Sequence, residues 1–522
     1  MAPRMRTRAA LALASLLVVA HHQGAWAQST SVGANGGEGG ALTGPVSSPE
    51  SAGYSCDASQ CKLPDCLCAS TSPPGGLDPK NVPQFVTFTA DDAIQLYTKD
   101  VMSYFLGGRR NPNGCTPRMT YFTSLSYTNY SMVTEMYVNN NTEIADHTMT
   151  HAGTPNASEI NGNLRALNAF AGIPMSDIIG FRAPLLSWNG STLEYLHNAS
   201  FTYDSSMTSA SYANASNTDA FWPYTLDSGV ANNCLEQSAI CQGRLKLPGL
   251  WEIPMYSTFG DSQSDIHLMD PWLDSDKPED VLEWLKFSFL THYDGNRQPF
   301  GLYSHPIHLA TGYPGVDDPI AMREMLQQFL DWVQAFDDVW IVSNAQLLAW
   351  MRDPVTNDKM GDVDALKCEV PDVPEDEKIC NGIPQNMAGL LNKCDFSDFP
   401  WQTCYYCPAD EPTPDNPVPS PREGDTRHTL PSDCLTAFFD PIANECTCES
   451  DQCAFTDQTR PIGNYTTNLG GSGAGGASGS GTATQAEVTA PSKQNSAAAA
   501  RNAGAWSVAA GAVAVVVAAL AA

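Results

Sequence analysis

The chain has 522 residues, of which 42% are hydrophobic and 16% are charged, and its formal net charge at pH 7 is −30. A polypeptide of this length can bury a large core, and its acidic balance argues against nucleic acid as a partner. The same balance would attract a cationic polymer. The 16 cysteines are even in number and clustered, which in a secreted protein indicates disulfide bonds rather than zinc modules.

Residues 1–27 are predicted to be a secretory signal peptide. They begin with Arg4, Arg6 and Arg8, continue in an apolar run too short to span a bilayer, and end in small residues typical of a cleavage site. The Gly/Ser-rich residues 28–52 are predicted to be a flexible leader. Export would place the cysteines in an oxidising compartment, where they pair.

Residues 53–355 are predicted to form one large folded domain that opens with a cysteine cluster. Residues 84–89 are typical of a buried strand, and residues 339–342 of a strand that precedes a last helix. Residues 321–336 have apolar side chains at helical spacing. Strands that alternate with helices imply a parallel sheet or barrel, with ligating residues on loops at the carboxyl ends of the strands.

Two histidines four residues apart, His147 and His151, follow an acidic pair, Asp91 and Asp92. If the histidine segment opens a helix, this spacing places both imidazoles on one face, where they can bind a single divalent cation. One aspartate can complete the set and leave a position open for water, as a hydrolytic zinc site requires. Histidines at this spacing are more often surface or structural residues, so the accompanying motifs must decide.

Several further motifs accompany the histidines in a fixed order. The whole series comprises residues 89–92, 147–151, 180–184, 203–204, 251–254 and 303–305. In this order it resembles the polysaccharide deacetylase family of carbohydrate esterases, and within that family the chitin deacetylases of the arthropod type. The resemblance covers residues 54–355. It implies an α/β fold, a distorted (β/α) barrel of the polysaccharide deacetylase type with disulfide-rich flanking segments.

The resemblance also implies a metal site. Asp92, His147 and His151 match the metal ligands of the family, and the expected ion is Zn²⁺, although other divalent ions can occupy such a set. Asp91 matches the carboxylate that takes the proton from the attacking water. Two adjacent carboxylates suit this division of labour, because one can bind the cation while the other stays free. The alternative is that the two aspartates form a solvated turn after a strand, which is more common for an Asp-Asp pair.

The remaining matches concern proton transfer and charge. His305 matches the acid that protonates the departing amine, whereas His308, three residues on, is interpreted as a packing or surface histidine. Arg182 matches the residue that holds the base carboxylate, and its alternative is an ordinary salt bridge. Asp204 matches the acid that tunes the catalytic histidine. A backbone N–H near Leu185 is expected to help the metal stabilise the oxyanion.

Two tryptophans, Trp222 and Trp251, are candidates for the floor of a sugar subsite, although large aromatic residues in a barrel are more often core. The chain also departs from the family pattern. Ala90 stands where a phenylalanine is common, Tyr303 stands where a leucine is common, and the motif around Asp204 lacks a tryptophan found in many members. All expected ligands and acid–base groups are nevertheless present.

The function that the sequence predicts is metal-dependent hydrolysis of the N-acetyl groups of chitin, which gives chitosan and acetate. One alternative is a catalytically inactive, wall-associated carbohydrate-binding protein whose cysteine-rich module acts as a lectin. Another is a deacetylase of a different acetylated polysaccharide. The intact set of site residues favours an active enzyme, and the aromatic segments favour chitin.

Residues 356–460 are predicted to form a separate cysteine-rich module, and residues 461–494 a Gly/Ser-rich linker. Residues 495–522 are typical of a glycosylphosphatidylinositol (GPI) attachment signal, with Asn495 or else Ser496 as the attachment point; the alternative is a true membrane helix. The expected location is the cell surface or wall, on the outer face of the plasma membrane. Predicted N-glycosylation sites are Asn129, Asn140, Asn156, Asn189, Asn198, Asn214 and Asn464.

Overall fold

The computed structural model describes residues 44–45, 54–139, 142–232, 245–313, 318–368, 380–382, 384–397, 399–431, 434 and 438–446. A nine-stranded sheet lies at the centre of this part of the chain. In chain order its strands are β1 Gln84–Asp92, β2 Thr120–Thr123, β3 Glu143–Asp146, β4 Gly180–Phe181, β5 Tyr203–Asp204, β6 Tyr224–Leu226, β7 Leu247–Glu252, β8 Phe300–Ser304 and β9 Val339–Val342.

The strands lie side by side in the order β8-β1-β2-β3-β4-β5-β7-β6, and β9 also pairs with β1. Every neighbouring pair is parallel except β6 with β7, which is antiparallel. Within the described residues no pairing joins β8 to β6, so the sheet curls into a half-barrel and stays open. The prediction of a distorted α/β barrel is confirmed.

Helices cover the sheet and follow its strands. They are α1 Leu96–Leu106, α2 Tyr130–Thr134, α3 Ala157–Ala171, α4 Gly190–Asn198, α5 Pro278–Tyr293, α6 Ile320–Val333, α7 Asn344–Arg352 and α8 Pro384–Met387. Local sequence explains their ends. The side chain of Asn156 caps α3 by accepting from two backbone N–H groups, and α3 stops at Gly172, whose φ of 65° suits glycine. Two-stranded ribbons pair Gly44–Pro45 with Ser55–Cys56, Thr208–Ser209 with Met255–Tyr256, Thr258–Phe259 with Ile266–His267, Asn392–Cys394 with Trp401–Thr403, and Phe439–Asp440 with Glu445–Cys446.

The two tryptophans predicted to form a sugar subsite belong to the hydrophobic core. Trp222 and Trp251 are each 1% exposed, and the ring centroid of Trp222 lies 5.7 Å from that of Trp350. The indole N–H of Trp222 donates to the backbone carbonyl of Asn296. Both side chains are therefore buried away from any polymer at the surface, and the subsite prediction is wrong for them.

Disulfides flank the half-barrel on both sides, as predicted. The amino-terminal cysteines pair as Cys56–Cys68 and Cys61–Cys66. Cys115 pairs with Cys368 and so links the half-barrel to the segment that follows α7. Further on, the pairs are Cys380–Cys404, Cys394–Cys407 and Cys434–Cys446.

The described part of residues 356–460 packs directly on α2 and α3. The ring of Trp401 lies 4.4 Å from that of Tyr130 and 5.4 Å from that of Phe170. The hydroxyl of Thr403 donates to the carbonyl of Phe170 at 2.6 Å. These aromatic residues share one buried cluster with the half-barrel. The cysteine-rich segment therefore extends the core, while the predicted domain boundaries stay a prediction.

The predicted signal peptide, linker and GPI signal, together with Asn140, Asn464 and Asn495, lie outside the described residues. Across the described stretches, no helix is long and apolar enough to cross a membrane. Glycosylation stays a prediction at the remaining sequons. Among them, Asn156 is exposed, and the side-chain oxygen of Asn129 accepts from the backbone N–H of Gln402.

Candidate active site

Parallel strands bring the predicted site residues to one edge of the sheet. β1 ends in Asp91 and Asp92, His147 directly follows β3, and Arg182 directly follows β4. His305 follows β8, which pairs with β1 on the side away from β2. Because parallel strands all end at the same edge, residues far apart in the chain converge there. Asp204, at the end of β5, reaches the same edge but makes different contacts.

The segment from His147 to His151 is a loop, so the helix considered for it is wrong. Thr148 and His151 have φ values of 64° and 56°, the left-handed region that non-glycine residues rarely adopt. Hydrogen bonds hold this turn, from the Thr148 N–H to the Asp146 carboxylate and from the Ala152 N–H to the Thr148 hydroxyl. The two imidazole centroids are 5.2 Å apart, so the loop achieves the convergence expected from a helix.

Asp92, His147 and His151 form a set that we call the Asp92 group. Each offers one ligand atom, and these atoms lie within 4.8 Å of one another. The Asp92 Oδ1 atom is 3.2 Å from His151 Nε2 and 3.7 Å from His147 Nε2. This oxygen is buried and has no hydrogen-bond partner among the described residues. One carboxylate and two imidazoles around an unsatisfied buried oxygen fit a divalent cation such as zinc.

The surroundings of His147 and Asp92 favour the forms of these two side chains that bind metal. His147 Nδ1 lies 2.8 Å from the carbonyl of Arg182, which can only accept, so Nδ1 carries the proton and Nε2 keeps its lone pair. Burial lowers the pKa of His147 despite the neighbouring carboxylates. Burial acts to raise the pKa of Asp92, but the contact with His151 and the nearby imidazoles of His147 and His305 outweigh it, so this pKa lies well below its ordinary value.

Asp91 is held beside the Asp92 group without belonging to it. Its Oδ1 accepts from Arg182 at 2.7 Å, and its Oδ2 lies 4.0 Å from His147 Nε2. Arg182 is fully buried and also donates to the hydroxyl of Thr89 and to the carbonyl and hydroxyl of Ser205. These hydrogen bonds fix the guanidinium of Arg182. Because Arg182 binds Oδ1 of Asp91, Oδ2 stays free to accept a proton.

Tyr303, one of the departures from the family pattern, covers this guanidinium. The Arg182 Cζ atom lies 4.1 Å from the ring centroid of Phe122 and 5.3 Å from that of Tyr303. The Tyr303 hydroxyl accepts from the backbone N–H of Tyr256 at 2.8 Å, which fixes the ring. Aromatic faces beside a buried cation stabilise it by cation–π attraction. The tyrosine therefore takes part in positioning Arg182.

Asp270, not Asp204, contacts His305, and this corrects the role expected for Asp204. Asp270 Oδ2 lies 2.5 Å from His305 Nδ1, and Oδ1 accepts the His305 backbone N–H at 2.8 Å. Burial acts to lower the pKa of His305, but this hydrogen bond and the negative charges of Asp270, Asp91 and Asp92 raise it to about 9. Asp270 lies 35 residues before His305 and in none of the motifs, so only the tertiary structure reveals the contact.

Asp204 forms a buried pair with Glu252 instead. Their side chains are hydrogen-bonded to each other, which two carboxyl groups can achieve only by sharing a proton. Burial raises the pKa of Asp204 to about 6, and burial together with the charge of Asp204 raises that of Glu252 well above its ordinary value. Asp204 also accepts from the Ser206 hydroxyl at 2.7 Å. Asp204 and Glu252 both lie in the motif series, but the sequence does not indicate that they contact each other.

Two other residues considered from the sequence lie near the edge of the site. Leu185 is 80% exposed and has a φ of 58°, on a turn that begins two residues after Arg182. His308 is half-buried, and its ring centroid is 6.0 Å from that of His305.

Comparisons with known proteins show two similar sequences. The chain is 33% identical over 319 residues to a protein named chitin deacetylase 8 from Bombyx mori, a match that covers 58% of this chain and 80% of the relative. It is 32% identical over 394 residues to chitin deacetylase 1 from the same organism, covering 70% of this chain and 68% of the relative. No family model matches the chain.

Solved structures show more distant likenesses. A putative polysaccharide deacetylase from Mycobacterium smegmatis is 18% identical with a TM-score of 0.36, covering 60% of this chain and all of that one. The chitin deacetylase from Colletotrichum lindemuthianum is 15% identical with a TM-score of 0.28, covering 51% of this chain and 88% of that one. Likenesses at this level support no inference about substrate. On the strength of the Bombyx mori relatives, the chain belongs to the polysaccharide deacetylase family and is an enzyme of the chitin deacetylase type.

Proposed function

We propose that the protein is a zinc-dependent hydrolase that removes N-acetyl groups from chitin and releases acetate and chitosan. The observation that carries the proposal is the convergence of three different groups at one sheet edge. These are a carboxylate–imidazole set fit for metal, a separate carboxylate fixed by Arg182, and an imidazole held protonated by Asp270. Hydrolysis of an amide needs all three, because the carbonyl is a poor electrophile and the amine a poor leaving group.

In this proposal Asp92, His147 and His151 hold the ion. A bound divalent ion polarises the acetamide carbonyl and lowers the pKa of a water molecule. The protein contributes two imidazoles, of which His147 presents a free Nε2 lone pair, and the carboxylate of Asp92; the hydrogen bond to Arg182 keeps Asp91 from occupying the same position. The backbone N–H of Leu185, which lies on an exposed turn, would be a further hydrogen-bond donor to the oxyanion.

Proton transfer is divided between Asp91 and His305. Asp91 takes the proton of the attacking water through the oxygen that Arg182 does not bind. His305 has its Nδ1 engaged with Asp270, so its Nε2–H is the proton available to the departing amine. Asp270 holds the ring in place and favours the imidazolium form before the amine leaves. The product amine departs with the polymer, and the acetate leaves separately.

We further propose that the enzyme is exported and anchored by a lipid to the outer face of the plasma membrane. The disulfides of the described residues fit an oxidising compartment, and the sequences at the two ends fit a signal peptide and a GPI signal. Treatment of intact cells with a phosphatidylinositol-specific phospholipase should release the protein. Retention, together with detection of a peptide from residues 503–522, would contradict the anchor.

Acetate release from defined polymers tests the catalytic proposal. Purified protein should release acetate from chitin oligomers more readily than from acetylxylan or peptidoglycan, and a chelator should abolish release until zinc is restored. Binding of chitin without acetate release at any metal concentration would show a carbohydrate-binding protein instead. Faster release from acetylxylan or peptidoglycan would show that the protein is a deacetylase of a different polymer.

A further inference from the structure

A second set of potential ligands lies beside the Asp92 group. Asp270, His305 and His308, which we call the Asp270 group, each offer one ligand atom, and these atoms lie within 4.8 Å of one another. His305 and His308 are held together by the short helical turn Pro306–Leu309, where the His308 N–H donates to the His305 carbonyl. Asp270 approaches from a different part of the chain. A carboxylate and two imidazoles are the same donor types as those of the Asp92 group.

The Asp270 group is reachable from solvent. The side chain of His305 is 28% exposed and that of Asp270 is 6% exposed, and His308 is half-buried. One other cluster of ligand type among the described residues, Cys56, Cys61 and Cys68, is excluded because its cysteines are in disulfides. The Asp270 group therefore stands out as a second set that is open to a cation from solution.

Other buried histidines of the described chain show what a purely structural histidine does here. His292 is buried, makes a contact with the carbonyl of Gln298, and has its pKa lowered to about 4 by burial. His267 stacks on the ring of Trp284 at 4.4 Å, and its Nδ1 lies 2.7 Å from Asp274 Oδ2. His308 differs from both, because it is only half-buried and contacts edge-on, at 6.0 Å, an imidazole that has a carboxylate partner.

We propose that Asp270, His305 and His308 form a second, inhibitory site for a divalent cation, with zinc as the cation that its donors favour. The inference rests on the proposed function insofar as His305 is the acid of the reaction. A cation bound here would replace the proton between His305 Nδ1 and Asp270, and that proton would go to solvent. The ring would keep its Nε2–H but would be a neutral imidazole, which is a far weaker acid toward the departing amine than an imidazolium.

The order of affinities follows from the partners of each group. In the Asp92 group, His147 presents a neutral Nε2 and Asp92 presents an unsatisfied buried oxygen. In the Asp270 group the cation must first displace the proton between His305 and Asp270. The first zinc should therefore enter the Asp92 group and activate, and the second should bind more weakly and inhibit. Activity should rise and then fall as zinc is added.

Zinc counting on the full, tag-free protein tests the site without relying on activity. Chelator-stripped protein is dialysed against rising concentrations of zinc alone, and bound zinc is measured by elemental analysis. Wild type should bind two ions, His308→Ala one, and His151→Ala one. His428→Ala, which removes an exposed histidine from the cysteine-rich segment, is the matched control and should still bind two. His308→Gln preserves more of the side-chain volume and should repeat the His308→Ala result if the alanine variant is poorly folded.

Activity gives the second readout. At one equivalent of zinc, His308→Ala should release acetate within about twofold of wild type, and inhibition by excess zinc should need at least a tenfold higher concentration. Wild type that binds one zinc, or His308 variants that still bind two, would overturn the second site. So would equal zinc inhibition of wild type and both His308 variants. If two ions bind with the expected mutational pattern but no variant releases acetate, the site stands and the proposed function fails.

Discussion

The Asp92 group and the Asp270 group contain the same side chains, one aspartate and two histidines, yet their surroundings prepare them for different tasks. In the first, the Nδ1 of His147 contacts a backbone carbonyl, and burial lowers the pKa of the ring. In the second, the Nδ1 of His305 contacts a carboxylate, and the pKa of the ring rises to about 9. The partner of one ring nitrogen therefore separates the proposed metal ligand from the proposed proton donor.

Position in the sheet reinforces this difference. Asp92 and His147 are delivered by β1 and β3, whereas His305 is delivered by β8 on the other side of β1. The His147 ring lies near the carboxylates of Asp91 and Asp92, which also contact Arg182 and His151 respectively. The His305 ring contacts the carboxylate of Asp270. Identical donor sets thus acquire opposite preferences from their neighbours.

Removing a ligand from the Asp92 group should have the largest effect. His151→Ala leaves two protein ligands, so we expect zinc affinity at that group to fall by at least about a hundredfold and acetate release to be lost at low zinc. Equilibrium dialysis and acetate assays measure the two quantities. A variant that retains tight zinc and most of its turnover would show that the Asp92 group is not the activating site.

Asp91 lies between the two groups and should affect the rate alone. Asp91→Asn preserves shape and can still contact Arg182, but an amide cannot take the proton of water, so we expect turnover to fall by about 10²–10⁴-fold. Bound zinc, measured on the same sample, should not change. Loss of zinc in parallel with rate would place Asp91 among the ligands and would contradict the separation drawn here.

Separate substitutions of Asp270 and Asp204 test which of the two aspartates sets the pKa of His305. Because the charge of Asp270 raises the pKa of His305, Asp270→Asn should shift the alkaline limb of the pH–rate profile to lower pH by about one unit or more. In wild type that limb should lie at or below about 9, since a nearby dication disfavours the imidazolium. Asp204→Asn is the control and should leave the limb in place. A shift in the control alone would restore the role first expected for Asp204.

The smallest effect should come from the buried Asp204–Glu252 pair, and it should concern stability. Both pKa values are raised in the folded state, so the folded protein holds a proton that the unfolded chain releases. Stability should therefore decline as pH rises from the ordinary carboxyl range through about 6 and beyond. Glu252→Gln can still donate to Asp204 and should flatten this decline, gaining about 1–2 kcal/mol at pH 8.

Denaturant unfolding at several pH values measures that gain. Acetate release by Glu252→Gln should stay within a few-fold of wild type, because the pair contacts neither His305 nor the Asp92 group in the contacts described above. A steeper loss of stability at alkaline pH would mean that Glu252 is ionised in the folded protein. A large fall in rate at unchanged stability would instead connect the pair to catalysis.

The sequence predicted the parts of this molecule that depend on local pattern. β1, β9 and α6 follow from apolar patterns. The sequence also predicted that β1 delivers Asp91 and Asp92 at its carboxyl end and that ligating residues lie on loops at the carboxyl ends of strands, where His147 and His151 are found. The even number and clustering of the cysteines also predicted disulfides at both flanks, although not their pairing.

The errors arose where contacts join distant segments. The partner of His305 comes from a turn outside every motif, and the partner of Asp204 is another carboxyl that only burial makes informative. Trp222 and Trp251 are core because the sheet and Trp350 enclose them, which a sequence does not display. The loop between His147 and His151 depends on left-handed backbone angles that threonine and histidine rarely adopt.

The contact between Trp401 and the aromatic face of α2 and α3 has a consequence for biosynthesis. Asn129, which caps that face, and Gln402, which covers it, are 273 residues apart. At ribosomal rates of 5–20 residues per second, Tyr130 emerges roughly 15–50 s before its covering tryptophan exists. During that interval the nascent half-barrel presents an uncovered aromatic surface. A chain truncated near residue 355 should therefore aggregate readily and depend on chaperones. In the full-length chain, the segment that contains Trp401 covers this surface after the half-barrel has been synthesised.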